Sequence, residues 1–107
     1  VEVPDNAQPT AIVCYNDQLA MKVIGMLGKE GFSVPDDISV AGFDDYEISK
    51  YIHPGITTMI HPKRQLGKTA AEMLVDMINK KDRASKIFDA DLVVRDSTKA
   101  ISPTKTM

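Results

Sequence analysis

Two short apolar runs with a helical stripe between them limit this chain more than any other feature. Ala11-Ile12-Val13-Cys14-Tyr15 and Ile38-Ser39-Val40-Ala41-Gly42-Phe43 are nearly continuous in apolar residues rather than alternating. Runs of this kind suit strands covered on both faces, as in a parallel sheet. Between them Leu19, Val23, Met26 and Leu27, with Ala20 and Ile24 beside them, recur at helical spacing. Gly28 and Gly31 close that stretch. Strand, helix and strand in this order predict a right-handed parallel unit. Asp17 is the expected helix cap, because it sits next to the stripe and its oxygen can take an orphan backbone N–H. Met21 falls off the stripe and is expected outside the core, as a bystander or a subunit contact.

The rest of the chain adds elements of both kinds, so the fold class is α/β. Val1 to Pro9 is polar and irregular. Val34-Pro35-Asp36-Asp37 reads as a turn, and Tyr46 to Ile52 as a short helical stretch broken by His53-Pro54-Gly55. Ile56 to Ile60 is rich in β-branched residues and predicts a third strand. Pro62 suits a first helical turn, and a long helix to about Asn79 follows. Leu66, Ala70, Met73, Leu74, Met77 and Ile78 share one face of it. Lys80 to Lys86 is a polar linker, and Leu92-Val93-Val94 predicts the last strand. Ser97 to Met107 is polar and expected to fray.

Length and charge exclude several classes of function. The 107 residues suit one small domain or a piece of a larger one. A net charge of −2 with scattered basic residues argues against a nucleic-acid surface on this chain. Cys14 is the single cysteine, so no internal disulfide can form. It is expected to be a small core residue, which fits a reducing cytoplasm. No apolar run is long enough to span a membrane, and no signal-peptide pattern is present. The chain starts at Val1 rather than Met and is expected to be a fragment.

Open parallel sheets bind ligands beyond the carboxyl ends of their strands. The residues to inspect there are Asn16 and Asp17, Asp44 and Asp45, and His61. The Asn16 amide offers donors and an acceptor, and the Asp44 carboxylate can accept two hydroxyl protons. Together they suit a polyhydroxylated ligand such as a sugar, which needs matched donors and acceptors. Asn and Asp at such places also serve as plain turn formers and caps. A lone histidine before a proline, as at His61, is more often a surface or turn residue. Two enzyme signals fail. Gly67-Lys68-Thr69 ends like a phosphate-binding loop, but the required first glycine is Pro62 and the triplet lies inside a helix. Asp44 and Asp45 could hold magnesium, but no separate acceptor aspartate and lysine are evident. Two histidines and a buried cysteine make a poor metal site, so neither metal nor cofactor is expected.

At these residues the chain resembles the lactose/galactose repressor family. The resemblance rests on Tyr15-Asn16-Asp17-Gln18-Leu19-Ala20-Met21, on Val34 to Asp45, on Ile56-Thr57-Thr58, on Leu66 to Ala71 and on Leu92 to Thr98. It covers about residues 9–98. It implies part of a two-lobe fold of the periplasmic-binding-protein type, with ligand in the cleft between lobes. By analogy, about 9–56 form a second-lobe strand–helix–strand unit. Residues 57–80 form a crossover strand and a first-lobe-type helix, and 87–98 the final strand. The family implies sugar contacts at Asn16 and Asp44, a more variable one at His61, and a homodimer contact through Met21 and Ile52. It implies a cytoplasmic transcriptional repressor, not an enzyme, that meets DNA only through a domain outside this chain. Tyr15-Asn16-Asp17, Ala20 to Ile24 and Ile60 to Lys63 most resemble the arabinose-responsive members of Gram-positive bacteria. That implies L-arabinose or another sugar as effector. The competing expectations are a periplasmic-type sugar-binding protein of a transport system and a small receiver domain or enzyme.

Overall fold

The computed structural model describes residues 8–101. Strand β1 (Ala11–Val13) and strand β2 (Ser39–Ala41) pair in parallel, with Ile12 opposite Val40. Helix α1 (Asp17–Lys29) connects them, which is the expected strand–helix–strand unit. The pairing runs one residue past β1, where the Cys14 N–H donates to the Ala41 carbonyl at 2.8 Å. It stops there because Asn16 turns the chain into the helix.

Strand β3 (Thr58–Ile60) continues the sheet beyond β2. Ala41 bridges Thr57 in parallel, and the Asp44 N–H donates to the Met59 carbonyl at 3.0 Å. Strand β4 (Asp91–Val93) then pairs with β3 in the antiparallel sense, with Met59 opposite Leu92. The segment after β4 laces this assembly shut, which corrects the expectation of fraying from Ser97; residues 102–107 of that stretch lie outside the described residues. The Val40 N–H donates to the Ser97 carbonyl, and the Ser97 N–H to the Gly55 carbonyl, both at 2.9 Å. The buried Ser97 hydroxyl donates to the Val40 carbonyl and accepts the Thr57 N–H at 2.8 Å.

The core gathers Cys14, Ala20, Ile38, Val40 and Ile56, with Met21, Val23, Ile24, Leu27 and Ile52 packed around it. Ala20 is fully buried and marks the centre of the face that α1 turns to the sheet. Successive residues advance roughly 100° around a helix. Ile24 and Leu27 therefore flank Ala20 closely, while Met21 and Leu19 form the two margins. This corrects the expectation for Met21, which is half-buried against the core. Met26, assigned to the stripe, is 66% exposed instead. The stripe was centred on the larger side chains, whereas the closest approach belongs to the smallest.

Helix α2 (Lys63–Ile78) stands apart from that core. Leu66 and Met73 are half-buried and face a hollow shared with Ser85 and Phe88. Leu74, Val75, Met77 and Ile78 are exposed, so the expected apolar face of this helix is only partly covered. The result is an elongated chain of 64 × 32 × 24 Å with a radius of gyration of 18.9 Å. A compact domain of this length has about 13 Å.

Candidate functional site

The site lies where β1 and β2 end. Asn16 has extended backbone (φ −152°), and its side-chain oxygen accepts the Leu19 N–H at 2.8 Å. Asn16 is therefore the cap of α1, which corrects the assignment of that role to Asp17. A cap residue sits just outside the helix, and Asp17 is already its first turn. Among the described residues the Asn16 amide nitrogen makes no hydrogen bond, so its donors stay available at the strand tip.

Asp17 turns inward and is fully buried. Its N–H donates to the Phe43 carbonyl at 3.0 Å. Its Oδ2 accepts the Tyr46 N–H at 2.8 Å and the Ser49 hydroxyl at 2.6 Å, and its Oδ1 accepts the Thr58 hydroxyl at 2.6 Å. A buried carboxylate is tolerated only when its lone pairs are met in this way. Ser49 belongs to a short 3-10 turn (Glu47–Lys50), so Asp17 ties that turn, α1 and β3 to the end of β2. Gly42 makes room for it. A Cβ at Gly42 would collide with Asp17 Oδ1 and stand 2.9 Å from the Asp17 Cα.

Asp44 and Asp45 follow β2 with φ of 94° and 52°, in the left-handed region. Non-glycine residues held there cost about 1–3 kcal/mol each and persist only where neighbours fix them. The Asp45 N–H donates to the Thr58 hydroxyl at 3.2 Å. The Asp45 carboxylate meets the Arg95 guanidinium at 2.7 Å, and Arg95 also donates to the Ile56 carbonyl at 2.9 Å. With Asp45 held this way, Asp44 projects from the tip. Its Oδ1 lies 2.8 Å from His61 Nε2. A carboxylate only accepts, so the shared proton sits on Nε2. The Phe43 ring stacks on the His61 imidazole at 5.4 Å between centroids, and the Lys63 ammonium donates to the Asp44 carbonyl at 3.1 Å.

Asp44 and His61 are thus brought together, and Asn16 follows the end of the adjacent strand. Met21 and Ile52 lie half-buried on the core, and Ile48 and Tyr51 in the 3-10 turn region before Ile52 are exposed. A hollow of about 230 Å³ lies at the opposite ends of the strands, lined by Thr10, Pro35, Asp36, Ser39 and Lys99. Among the described residues no three His, Cys, Asp or Glu side chains converge as a metal site. No helix among them is long and apolar enough to cross a membrane.

Sequence reasoning placed Asp17 at the strand tip but read it as a cap, and it gave Gly42 and Thr58 no role in this region. The helical angle could have shown that Asp17 turns inward, since it lies on the Ala20 face. No local signal marks Thr58, because its partners come from other elements.

An α/β unit that gathers polar side chains at neighbouring carboxyl tips has the architecture of a small-molecule-binding lobe. A family model for the periplasmic binding protein-like domain matches residues 2–98. The chain belongs to that family, on the branch of the lactose/galactose-repressor regulators. It is 45% identical over 101 residues to the arabinose metabolism transcriptional repressor of Geobacillus stearothermophilus, covering 92% of this chain and 28% of that protein. Over 97 residues it is 41% identical to the HTH-type transcriptional repressor PurR of Aliivibrio fischeri, covering 89% of this chain and 29% of that one. Among solved structures it matches the lac repressor dimer bound to operator and an anti-inducer, with a TM-score of 0.77 at 33% identity. That match covers 86% of this chain and 32% of the repressor. A LacI family regulator from Enterococcus faecium with bound ribose gives 0.75 at 31% identity, covering 91% and 37%. The chain spans less than a third of the length of the curated relatives it matches.

Proposed function

We propose that this chain is the effector-binding and dimerisation segment of a cytoplasmic, sugar-responsive bacterial repressor. Support comes from the ends of β1 and β2, the parallel neighbours that lead into Asn16 and Asp44. The Asn16 amide can donate and the outer oxygen of Asp44 can accept, with His61 holding the other oxygen at 2.8 Å. That pattern matches a neutral polyol, whose hydroxyls each donate and accept. A second lobe would close over a ligand held at these tips. On this proposal residues 9–56 belong to one lobe, 57–80 cross to the other, and 87–98 return. The exposed face of α2 then belongs to the lobe that this chain does not contain.

A five-carbon sugar is the proposed effector class, with L-arabinose first. The relative at 45% identity carries arabinose in its name, and a solved relative holds ribose. Sugar would favour one lobe arrangement by its differential affinity, and the coupling to DNA binding can be no larger than that difference. DNA is met through a separate domain, and the homodimer forms through the helix faces carrying Met21 and Ile52. No reaction is catalysed. A transport-associated binding protein is the less favoured alternative, since the relatives are repressors. In the full-length regulator, Asn16→Ala and Asp44→Ala should each raise the L-arabinose concentration needed for induction about tenfold, the scale of one lost hydrogen bond. Operator binding without sugar should be unchanged. Normal induction in both variants contradicts the assignment.

A further inference from the structure

Resting on the site just proposed, we infer that Asp17 and Thr58 are positioning residues that set the Asp44 carboxylate without touching the effector. Asp44 and Asp45 both occupy left-handed backbone, which L side chains rarely adopt. Arg95 holds the Asp45 carboxylate, and the Met59 carbonyl and Lys63 ammonium meet the Asp44 backbone; the backbone just after Asp44 is held by two further hydrogen bonds. The Thr58 hydroxyl has two jobs at once. It donates to Asp17 Oδ1 at 2.6 Å, so its lone pairs face outward to accept the Asp45 N–H at 3.2 Å. Asp17 Oδ2 takes the Tyr46 N–H at 2.8 Å, one residue further along. The backbone on the C-terminal side of Asp44 is thus pinned twice, at Asp45 and at Tyr46. Both pins trace to one carboxylate that is wholly buried, and Thr58 is 1% exposed. On the N-terminal side, Gly42 leaves the space that this carboxylate fills. The Asp44 side chain is then left at the tip, facing His61. A hydroxyl that must both donate and accept cannot be replaced by an apolar group of the same shape.

Thr58→Val keeps the volume and removes both bonds, whereas Thr58→Ser keeps the hydroxyl. In the full-length regulator, calorimetric titration with L-arabinose should show at least a tenfold loss of affinity for Thr58→Val. Thr58→Ser should stay within about threefold of the parent. Asp17→Asn, which keeps volume and one acceptor oxygen, is the second variant should Thr58→Val fold poorly, and it should also lose affinity. The ring nitrogen resonances of His61, read without ligand, should move in Thr58→Val and return in Thr58→Ser, because the Asp44 contact goes with the backbone. They decide the inference even for a regulator that takes up no L-arabinose. Unmoved His61 resonances in Thr58→Val and Asp17→Asn overturn it, as does parental affinity in Thr58→Val when Asp44→Ala has lost binding. Parental affinity in Asp44→Ala itself overturns the site proposal, and this inference with it.

Discussion

The strand–helix–strand unit and helix α2 carry apolar stripes of similar composition, yet they are used differently. In the first, Ala20, Val40 and Ile56 are completely buried, and the polar hub of Asp17 is sealed among them. In α2, Met77 and Ile78 are 65% and 69% exposed. An amphipathic helix takes its stability from the surface it covers. The first region has its partners within the chain. The second leaves most of its apolar face uncovered among the described residues. The polar tips belong to the closed region, where Asp17 and Arg95 hold the backbone around Asp44 and Asp45.

Removing atoms from the closed unit should have the largest effect on this contrast. Ile56→Ala should destabilise by about 2–5 kcal/mol, the range for a buried aliphatic side chain, as measured by urea unfolding. Gly42→Ala should follow, at about 1–3 kcal/mol, since the added methyl must displace the Asp17 carboxylate. Leu74→Ser in α2 should change the stability of this chain by no more than about 0.5 kcal/mol. A large loss there would mean that α2 has a partner within the chain and would break the contrast.

Cys14 gives the smallest effect. Burial pushes its thiol above the ordinary value of 9.0. A raised folded value means that the neutral form is favoured in the fold. Its contribution to stability is therefore complete below about pH 9 and is lost as the pH rises through the raised value. Alkylation at pH 8 should be slow until urea unfolds the chain, and fast labelling without urea would contradict the burial.

The order of elements was legible because each carries its own local signal. Continuous apolar runs mark β1 and β2, and Gly28 and Gly31 place the end of α1 close to Lys29. The facing of α1 was less legible because its centre is Ala20, whose methyl adds little to a stripe drawn from large side chains. Asp17 looked like a cap because Asn16 and Asp17 are both competent caps, and only the backbone geometry chooses between them. Its real partners lie 29, 32 and 41 residues away, beyond any local pattern. Asn16, Asp44 and His61 were picked out by the strand-tip rule and the family resemblance. That the Asp44 carboxylate meets His61 Nε2 at 2.8 Å required the sheet to place β3 beside the end of β2.

A crystal structure of the full-length regulator grown with L-arabinose addresses the proposed effector site most directly. Sugar density is expected between two lobes, with hydroxyl oxygens within hydrogen-bond distance of Asn16 Nδ2 and the Asp44 carboxylate. Sugar bound at the far ends of the strands, near Asp36 and Lys99, or clear of both tips would contradict it.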